Sequence, residues 1–390
     1  MTKTDYIITG VGAAGLILAY RMACDAYFDN KSILIIDKNK NLTNNRTWCF
    51  WENGEGEWDK LLHKTWPKIY FGSNDYSKVT DATPYHYKMI RSAKFYKGLW
   101  DIIDKKPNIK FINSTVKSIL EHDNDVEVIT DEGSFKGAKV INSIEFNKHY
   151  LTQEKYPVLQ QHFIGWFIKT QKNEFDDEVA TFMDFEIPQN GTTAFMYVLP
   201  SSKTEALIEY TLFSEKLLTQ AAYEKAILAY LKNKGIENYT IEETERGSIP
   251  MTSYKFQEYN TKNVINIGTA GGWTKASTGY TFRNTTKKTK QLVAFLKGEQ
   301  NLSKFTKPSK FWFYDLFFLD VLAQHNEEGP NLFSSLFKKT KIQTIFKFLD
   351  EESSLTEDLK IIKSVPSMRF AKAVLKRIIS KLRGNTRLIH

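Results

Sequence analysis

At 390 residues the chain is long for one core, and the length alone leads us to expect two interleaved domains. Only Cys24 and Cys49 are present, which excludes a disulfide framework and offers no zinc spacing, and no stretch approaches the roughly 20 apolar residues of a spanning helix. The net charge of +9 is gathered in a C-terminal tail, and the absence of any RNA- or DNA-binding motif argues against a nucleic-acid partner.

The start, Met1-Thr2-Lys3-Thr4-Asp5, has no apolar signal region and enters the strand-like Tyr6-Ile7-Ile8 directly, which points to a reducing cytoplasm. Gly10-Val11-Gly12-Ala13-Ala14-Gly15 follows and opens a helical pattern of Leu16, Leu18, Ala19 and Met22. Its glycines suit a tight turn, close approach of backbone to a pyrophosphate, and close packing of helix on strand. A second strand, Ile33-Leu34-Ile35-Ile36, ends on Asp37, placed to accept ribose hydroxyls. Strand, glycine loop, helix, strand and acid in this order predict a dinucleotide site that includes Gly10, Gly12, Ala13, Ala14, Gly15 and Asp37. Cys24 falls on the first helix and reads as core.

A nicotinamide dehydrogenase would continue with alternating helices and strands, whereas here Asn45-Arg46-Thr47-Trp48-Cys49-Phe50-Trp51 breaks the repeat. Arg46 and Trp48 are expected near the redox ring of a bound cofactor, where the chain must cross after the second strand. Arg91 heads a helix holding Leu99 and Trp100, and reads either as a cofactor contact or as a solvated arginine. Residues 116–120, 126–130 and 139–142 are strand-like, separated by turn clusters, and predict a small meander. Four further runs, at 162–168, 180–183, 193–199 and 206–212, predict a second sheet, with a helix over 215–232. A second glycine stretch, Gly268-Thr269-Ala270-Gly271-Gly272, follows the strand Val264-Ile265-Asn266-Ile267. It runs on to Ser277-Thr278-Gly279-Tyr280 and a helix over 281–296. A loop and helix N-terminus there suit the far end of a long dinucleotide, FAD rather than NAD, with Gly268, Thr269, Gly271 and Gly279 as contacts.

Phe311-Trp312-Phe313-Tyr314-Asp315-Leu316-Phe317-Phe318-Leu319 is too short to span a bilayer and too aromatic for an exposed helix. Residues 331–349 carry Phe333, Leu336, Phe337, Ile345, Phe346 and Leu349 on one helical face with lysines opposite. No Asp or Glu follows Asp358, while Lys360, Lys363, Arg369, Lys372, Lys376, Arg377, Lys381, Arg383 and Arg387 alternate with Phe370, Val374, Leu375, Ile378, Ile379 and Leu382. This basic amphipathic helix reads either as a membrane-surface element or as a solvated helix with one packed face. The layout is α/β: a Rossmann-type FAD-binding domain of residues 1–70, 90–150 and 255–300 is interleaved with a β-sheet substrate domain of residues 71–89 and 151–254. A helical region, 301–390, follows, as in flavin monooxygenases and related reductases.

Five landmarks then narrow the reading: Arg46-Thr47-Trp48-Cys49-Phe50-Trp51, Met183-Asp184, Tyr197-Val198-Leu199-Pro200, Leu207-Ile208-Glu209-Tyr210-Thr211 and Ser277-Thr278-Gly279-Tyr280. In order and spacing, from residue 5 to about 300, the chain resembles the flavin-dependent lycopene β-cyclases of bacteria and plants. The segment at Glu209 is similar to the family's Glu-Glu-Thr or Glu-Asp-Thr motif, whose first acid is catalytic; Tyr210 replaces the second acid, and Ala276 stands where many members have proline. The resemblance implies an isomerase that closes the linear ends of lycopene into β-ionone rings by acid catalysis, giving γ-carotene and β-carotene. It further implies a requirement for reduced FAD, electrons from NADPH or a flavin reductase, and a peripheral membrane enzyme acting on lycopene or a related linear carotenoid. Alternation alone would leave Glu209 an exposed strand acid, and Asp184 is either a second pocket acid or a strand end. Two other readings fit the same fold. A flavin monooxygenase or prenyl-chain reductase is disfavoured by the lack of an Asp after Gly268, and a flavin-free prenyl-lipid carrier by the intact glycine loop and Asp37.

Overall fold

The computed structural model describes residues 3–146 and 148–386, so that Met1, Thr2 and Arg387 lie outside the described residues. The first sheet has the spatial order Ile109–Asn113, Ile33–Asp37, Thr4–Thr9, Gly133–Asn142, Val126–Thr130, Val116–Glu121. Val264–Asn266 lies parallel to the end of Gly133–Asn142, pairing with Val140, Ile141 and Asn142. The first four strands are parallel neighbours, and the last two turn back antiparallel as the expected meander. Both faces of the parallel part are covered, which is why Tyr6 to Ile8 and Ile33 to Ile36 are continuous apolar runs. Ile8, Ile35 and Ile141 pack beneath the helices Ala13–Ala23, Ser92–Ile103 and Phe282–Leu296, while Ile7, Leu34 and Ile36 pack on the other side with Val126 and Val128.

The second sheet runs Tyr239–Met251, Leu159–Thr170, Glu205–Ser214, Thr193–Pro200, Val179–Asp184, Lys68–Ser73, Tyr76–Asp81. The four runs expected between 162 and 212 are all strands, with longer ends, and the following helix is Gln220–Asn233. That helix covers one face, where Tyr223, Ile227 and Leu231 meet Trp166, Ile208 and Leu212. The opposite face looks toward a three-stranded sheet of Thr47–Asn53, Tyr85–Arg91 and Lys64–Trp66. Neither this small sheet nor Tyr239–Met251 was expected from the sequence, because Glu242, Glu243, Glu245 and Arg246 give the latter a polar look. Mixed sheets with helices on both sides confirm the α/β class.

Five helices close the chain: Lys310–Gln324, Gly329–Lys339, Ile342–Leu349, Leu355–Ser364 and Ser367–Thr386. The continuous helical face expected over 331–349 is divided, since Thr340 and Lys341 are extended. Phe333, Ile345 and Phe346 join Leu319 and Leu322 in one core with Trp51, Tyr85 and Phe182. The tail helix packs one face, with Ala373 against Val321 and Leu332 and Arg377 gripping Asp320 at 2.6 and 2.8 Å. Cys24 is not core. It follows the last residue of Ala13–Ala23 as the C-cap, and the end of the helix turns its side chain to solvent. No helix among the described residues is long and apolar enough to cross a membrane.

Candidate active site

Between the two sheets lies a cavity of about 450 Å³. One end is lined by the first glycine loop and Asp37, the other by Glu209, Glu245, Cys49, Tyr197 and Tyr280. At the glycine end each residue has a separate task. Gly10, at φ +86°, turns the chain out of its strand while its N–H donates to the Ile36 carbonyl at 2.9 Å. A Cβ on Gly15 would stand 1.9 Å from the Gly10 carbonyl oxygen, so this glycine does not line the cavity but lets the helix start close against the turn. A Cβ on Gly12 would meet no protein atom within 4 Å; this glycine, with Ala13 and Ala14, leaves the cavity open at the helix N-terminus. The Asp37 carboxylate accepts from the Val11 N–H at 2.6 Å, which fixes it beside the loop.

Arg46 is exposed at the cavity wall, its guanidinium donating to the Asn45 carbonyl at 2.8 Å, and Trp48 stacks on Phe282 with centroids 5.2 Å apart. Gly268, Thr269 and Gly279 also line the wall. Gly271 does not. It backs onto its own strand, where a Cβ would stand 2.1 Å from the Asn266 carbonyl oxygen. Three buried polar atoms on the wall, Gln161 Oε1, Thr278 Oγ1 and Thr285 Oγ1, have no partner among the described residues. Buried polar atoms are seldom left unpaired, so these mark a surface suited to a polar ligand.

At the other end, strand register builds an acid pair. Gly165 is paired with Glu209 on one side and with Glu245 on the other. A Cβ on Gly165 would come within 3.3 Å of Glu245 Cγ and 3.4 Å of Glu209 Cβ, and its absence lets carboxyls from strands two apart meet over the middle one. Glu209 is only 8 % exposed and accepts from the Thr211 hydroxyl at 2.7 Å. Glu245 accepts from the Thr47 hydroxyl at 2.6 Å. Burial, then the like charge of Glu245 and a hydrogen bond to it, hold the Glu209 carboxyl well above the usual carboxylate range. Burial also raises Glu245, opposed by the Thr47 hydroxyl and the positive charge of Arg91. Apart from Arg246, next along the strand from Glu245, the remaining neighbours at this end carry no charge. Burial pushes up the Cys49 thiol and the phenols of Tyr197 and Tyr280, and the Tyr280 hydroxyl lies 3.1 Å from that of Tyr87 and 3.3 Å from that of Tyr197. A carboxyl raised as that of Glu209 is suits proton donation closer to neutral pH than an ordinary carboxyl does.

Besides Gly15 and Gly271, two further expected site residues lie off the cavity wall. Asp184 is fully buried on the helix-covered face, accepting from the Tyr230 hydroxyl at 2.8 Å and the Glu186 N–H at 2.9 Å, and it does not line the cavity. Arg91 is also off the cavity wall. It pairs with both oxygens of Glu243 at 2.6 Å and lies 4.0 Å over the Phe167 ring, which puts its charge behind Glu245. Sequence reasoning missed Glu245, Thr47 and Gly165. The one available signal was the spacing of Glu243, Glu245 and Gly247 at the period of a strand.

The chain belongs to the lycopene cyclase family, whose model, described as lycopene cyclase protein, matches residues 5–375. It is 24% identical over 302 residues to the chloroplastic lycopene beta cyclase of Arabidopsis thaliana, covering 71% of this chain and 56% of that protein. It is 26% identical over 256 residues to the lycopene beta-cyclase of Pseudescherichia vulneris, covering 64% and 62%. The chloroplastic neoxanthin synthase of Solanum tuberosum is 23% identical over 304 residues, and the chain spans 57% of its length. In fold, the chain resembles the crystal structure of a geranylgeranyl bacteriochlorophyll reductase-like protein from Thermoplasma acidophilum, with a TM-score of 0.67 at 11% identity, covering 96% of this chain and 98% of that one. A flavoprotein/dehydrogenase from Cytophaga hutchinsonii gives a TM-score of 0.62 at 12% identity, covering 97% and 100%. The expected two-domain, flavoprotein-like fold is therefore the observed one.

The raised Glu209 carboxyl has a consequence for stability. The folded chain keeps a proton that the unfolded chain releases in the ordinary carboxylate range. The associated stability is complete below that range and is lost as pH rises through the folded value. Relative to wild type, Glu209→Gln should therefore gain thermal stability as pH is raised from about 4 toward neutrality, because the amide has no charge to acquire. Melting curves across that range test this, and a pH-independent difference would show that Glu209 titrates normally.

Proposed function

We propose that this chain is a lycopene β-cyclase, an isomerase that converts the linear ψ end groups of lycopene into β-ionone rings with no net redox change. The observation that carries this reading is the Glu209 carboxyl, buried at the end of a cavity beside Glu245, a setting that raises it well above the usual carboxylate range. Protonating an alkene requires such an acid. In the proposed reaction Glu209 gives its proton to C2, leaving a tertiary cation at C1. The C5=C6 double bond closes onto C1, and loss of the C6 proton completes the ring. One proton enters, one leaves, and no electrons are gained or lost. Tyr197, Tyr280 and Tyr87 line the same cavity as the acid, and their aromatic rings suit the transient cation.

FAD fits the glycine end. The open side of Gly12, the Asp37 carboxylate, the Arg46 side chain and the unpartnered Gln161, Thr278 and Thr285 atoms would hold it, with Gly268, Thr269 and Gly279 along the wall. When bound and reduced it supplies negative charge beside the cation, its electrons coming from NADPH or a flavin reductase. The substrate enters from a membrane surface, with the enzyme cytoplasmic and peripheral. Supporting this, Leu355, Leu359, Met368, Leu375 and Ile378 are exposed on the last two helices, interleaved with the exposed Lys360, Lys363, Lys372 and Lys376.

Gly12→Leu fills the open side of the loop, so the purified protein should lose its yellow flavin absorbance while wild type keeps one FAD per chain; full occupancy in the variant would remove the nucleotide assignment. In a bacterium that accumulates lycopene, the wild type should yield cyclic carotenoids and Glu209→Gln should leave lycopene unchanged while retaining FAD. Glu209→Asp should lose about a hundredfold in rate, because a shorter side chain withdraws the proton from C2. Rings formed in deuterated water should carry deuterium at the former C2, whereas a prenyl-chain reductase would consume reductant in proportion to product. Finally, the full chain should sediment with anionic vesicles at low salt, and the double variant Lys372→Glu/Lys376→Glu should bind them less tightly with unchanged flavin content. Equal sedimentation with neutral and anionic vesicles would refute the electrostatic part.

A further inference from the structure

The acid has a partner whose surroundings differ from its own. On the Glu245 side stand a hydroxyl donor, Thr47, and the guanidinium of Arg91, itself held by Glu243. On the Glu209 side Thr211 is likewise a hydroxyl donor, at 2.7 Å, and the other neighbours, Cys49, Tyr197 and Tyr280 with Tyr87 behind them, carry no charge, so the two sides differ in the Arg91 guanidinium, whose effect on Glu245 outweighs the opposing charge of Glu243. The other charged group on this part of the wall is Arg246, next along the strand from Glu245 and exposed. Glu245 is half-buried where Glu209 is buried. Two carboxylates facing each other at close range cannot both ionise at little cost, so the pair keeps one proton, and the asymmetry decides where it sits.

We infer that Glu245 is the positioning residue of the acid: it carries the pair's single negative charge, accepts the hydrogen bond of the Glu209 carboxyl, and so leaves the proton on Glu209, aimed into the cavity. Arg91, through Glu243 and Phe167, fixes the charge on the Glu245 side. Gly165 is the structural condition for the pairing, since any side chain there would intrude between the two carboxyls. The role rests on Glu209 being the proton donor, but its physical content, one proton shared unequally, is measurable without turnover.

The experiment follows the infrared C=O stretch of protonated carboxyl groups against pH in the FAD-containing full chain. The Glu209 band is identified by its loss in Glu209→Gln. In wild type it should persist at neutral pH. In Glu245→Gln, which keeps size and can still accept from Thr47, the like charge is gone and the band should titrate away at a pH lower by about 1 unit or more. Glu245→Asp, which keeps the charge, should recover part of that shift. In carotenoid turnover, the alkaline limb of the rate profile should move down by the same amount in Glu245→Gln. A merely structural role would lower the rate at every pH and leave the limb in place. The inference is overturned if the band titrates identically with Glu or Gln at position 245, or if it disappears in Glu245→Gln and survives in Glu209→Gln, which would put the proton on the wrong residue. Should the band shift as expected while wild type forms no rings, the pairing stands and the cyclase reading falls; rings with no shift give the reverse.

Discussion

Keeping water away from a carboxyl group raises it above the usual carboxylate range, and in this molecule the burial of Glu209 draws on structure far beyond that residue. Its strand is central in a seven-stranded sheet, so its flanks are covered by Leu159–Thr170 and Thr193–Pro200. Behind Tyr280 and Tyr197 the wall is thickened by an aromatic core in which Trp51 stacks on Phe346 with centroids 4.7 Å apart and Phe182 lies parallel to Tyr280. Phe346 comes from the C-terminal helices. These helices therefore contribute to the acid's environment although none of their residues borders the cavity.

What docks those helices is a set of buried ion pairs. Lys275, 2 % exposed in its side chain, lies 3.0 Å from Asp315 and 3.2 Å from Glu351. Lys88 is equally buried between Glu52 and Asp59, and Glu52 continues to Arg283, which meets Asp350. Pairs of this kind add little net stability over well-packed apolar residues, but removing one partner strands a charge in a dry interior. We therefore attribute to them the alignment of the last helices against the small sheet, with the aromatic packing supplying most of the cohesion.

The glycine-loop half was legible because its information is local: an apolar run, three glycines and an acid lie within 33 residues, from Asp5 to Asp37, and Gly10 and Gly15 each have a conformational or packing reason to be there. The acid end is non-local. Glu245 reaches Glu209 only through the register of Leu159–Thr170 with two neighbours, and no pattern within Tyr239–Met251 reveals that a glycine lies opposite. Of the two readings of Asp184, the strand end holds and the pocket acid does not: it is the last residue of Val179–Asp184, and because the pairing shifts between Thr181 and Asp184, its face could not be read from the sequence. Arg91 was read toward a cofactor because its partner, Glu243, sits on a strand whose charges hid it. Cys24 missed the core by one residue, at a helix end, where periodicity is least reliable. The two faces of the tail helix are both real: one is packed through Ala373 and Arg377, the other exposes Leu375 and Ile378.

The strand Gly133–Asn142 serves two neighbours in succession, the meander along its first half and Val264–Asn266 along its last three residues. During synthesis on the ribosome, the first sheet thus remains incomplete until residues 264–266 emerge, more than 120 positions after the strand they join. The first helix waits longer, since its cover includes Thr289, which accepts from Arg21 Nε at 3.1 Å. The earliest part of the chain to be made is among the last to be closed. Until then an unpaired edge at Val140 to Asn142 and an apolar helix face are open to wrong partners, and folding of the two halves is obliged to finish together.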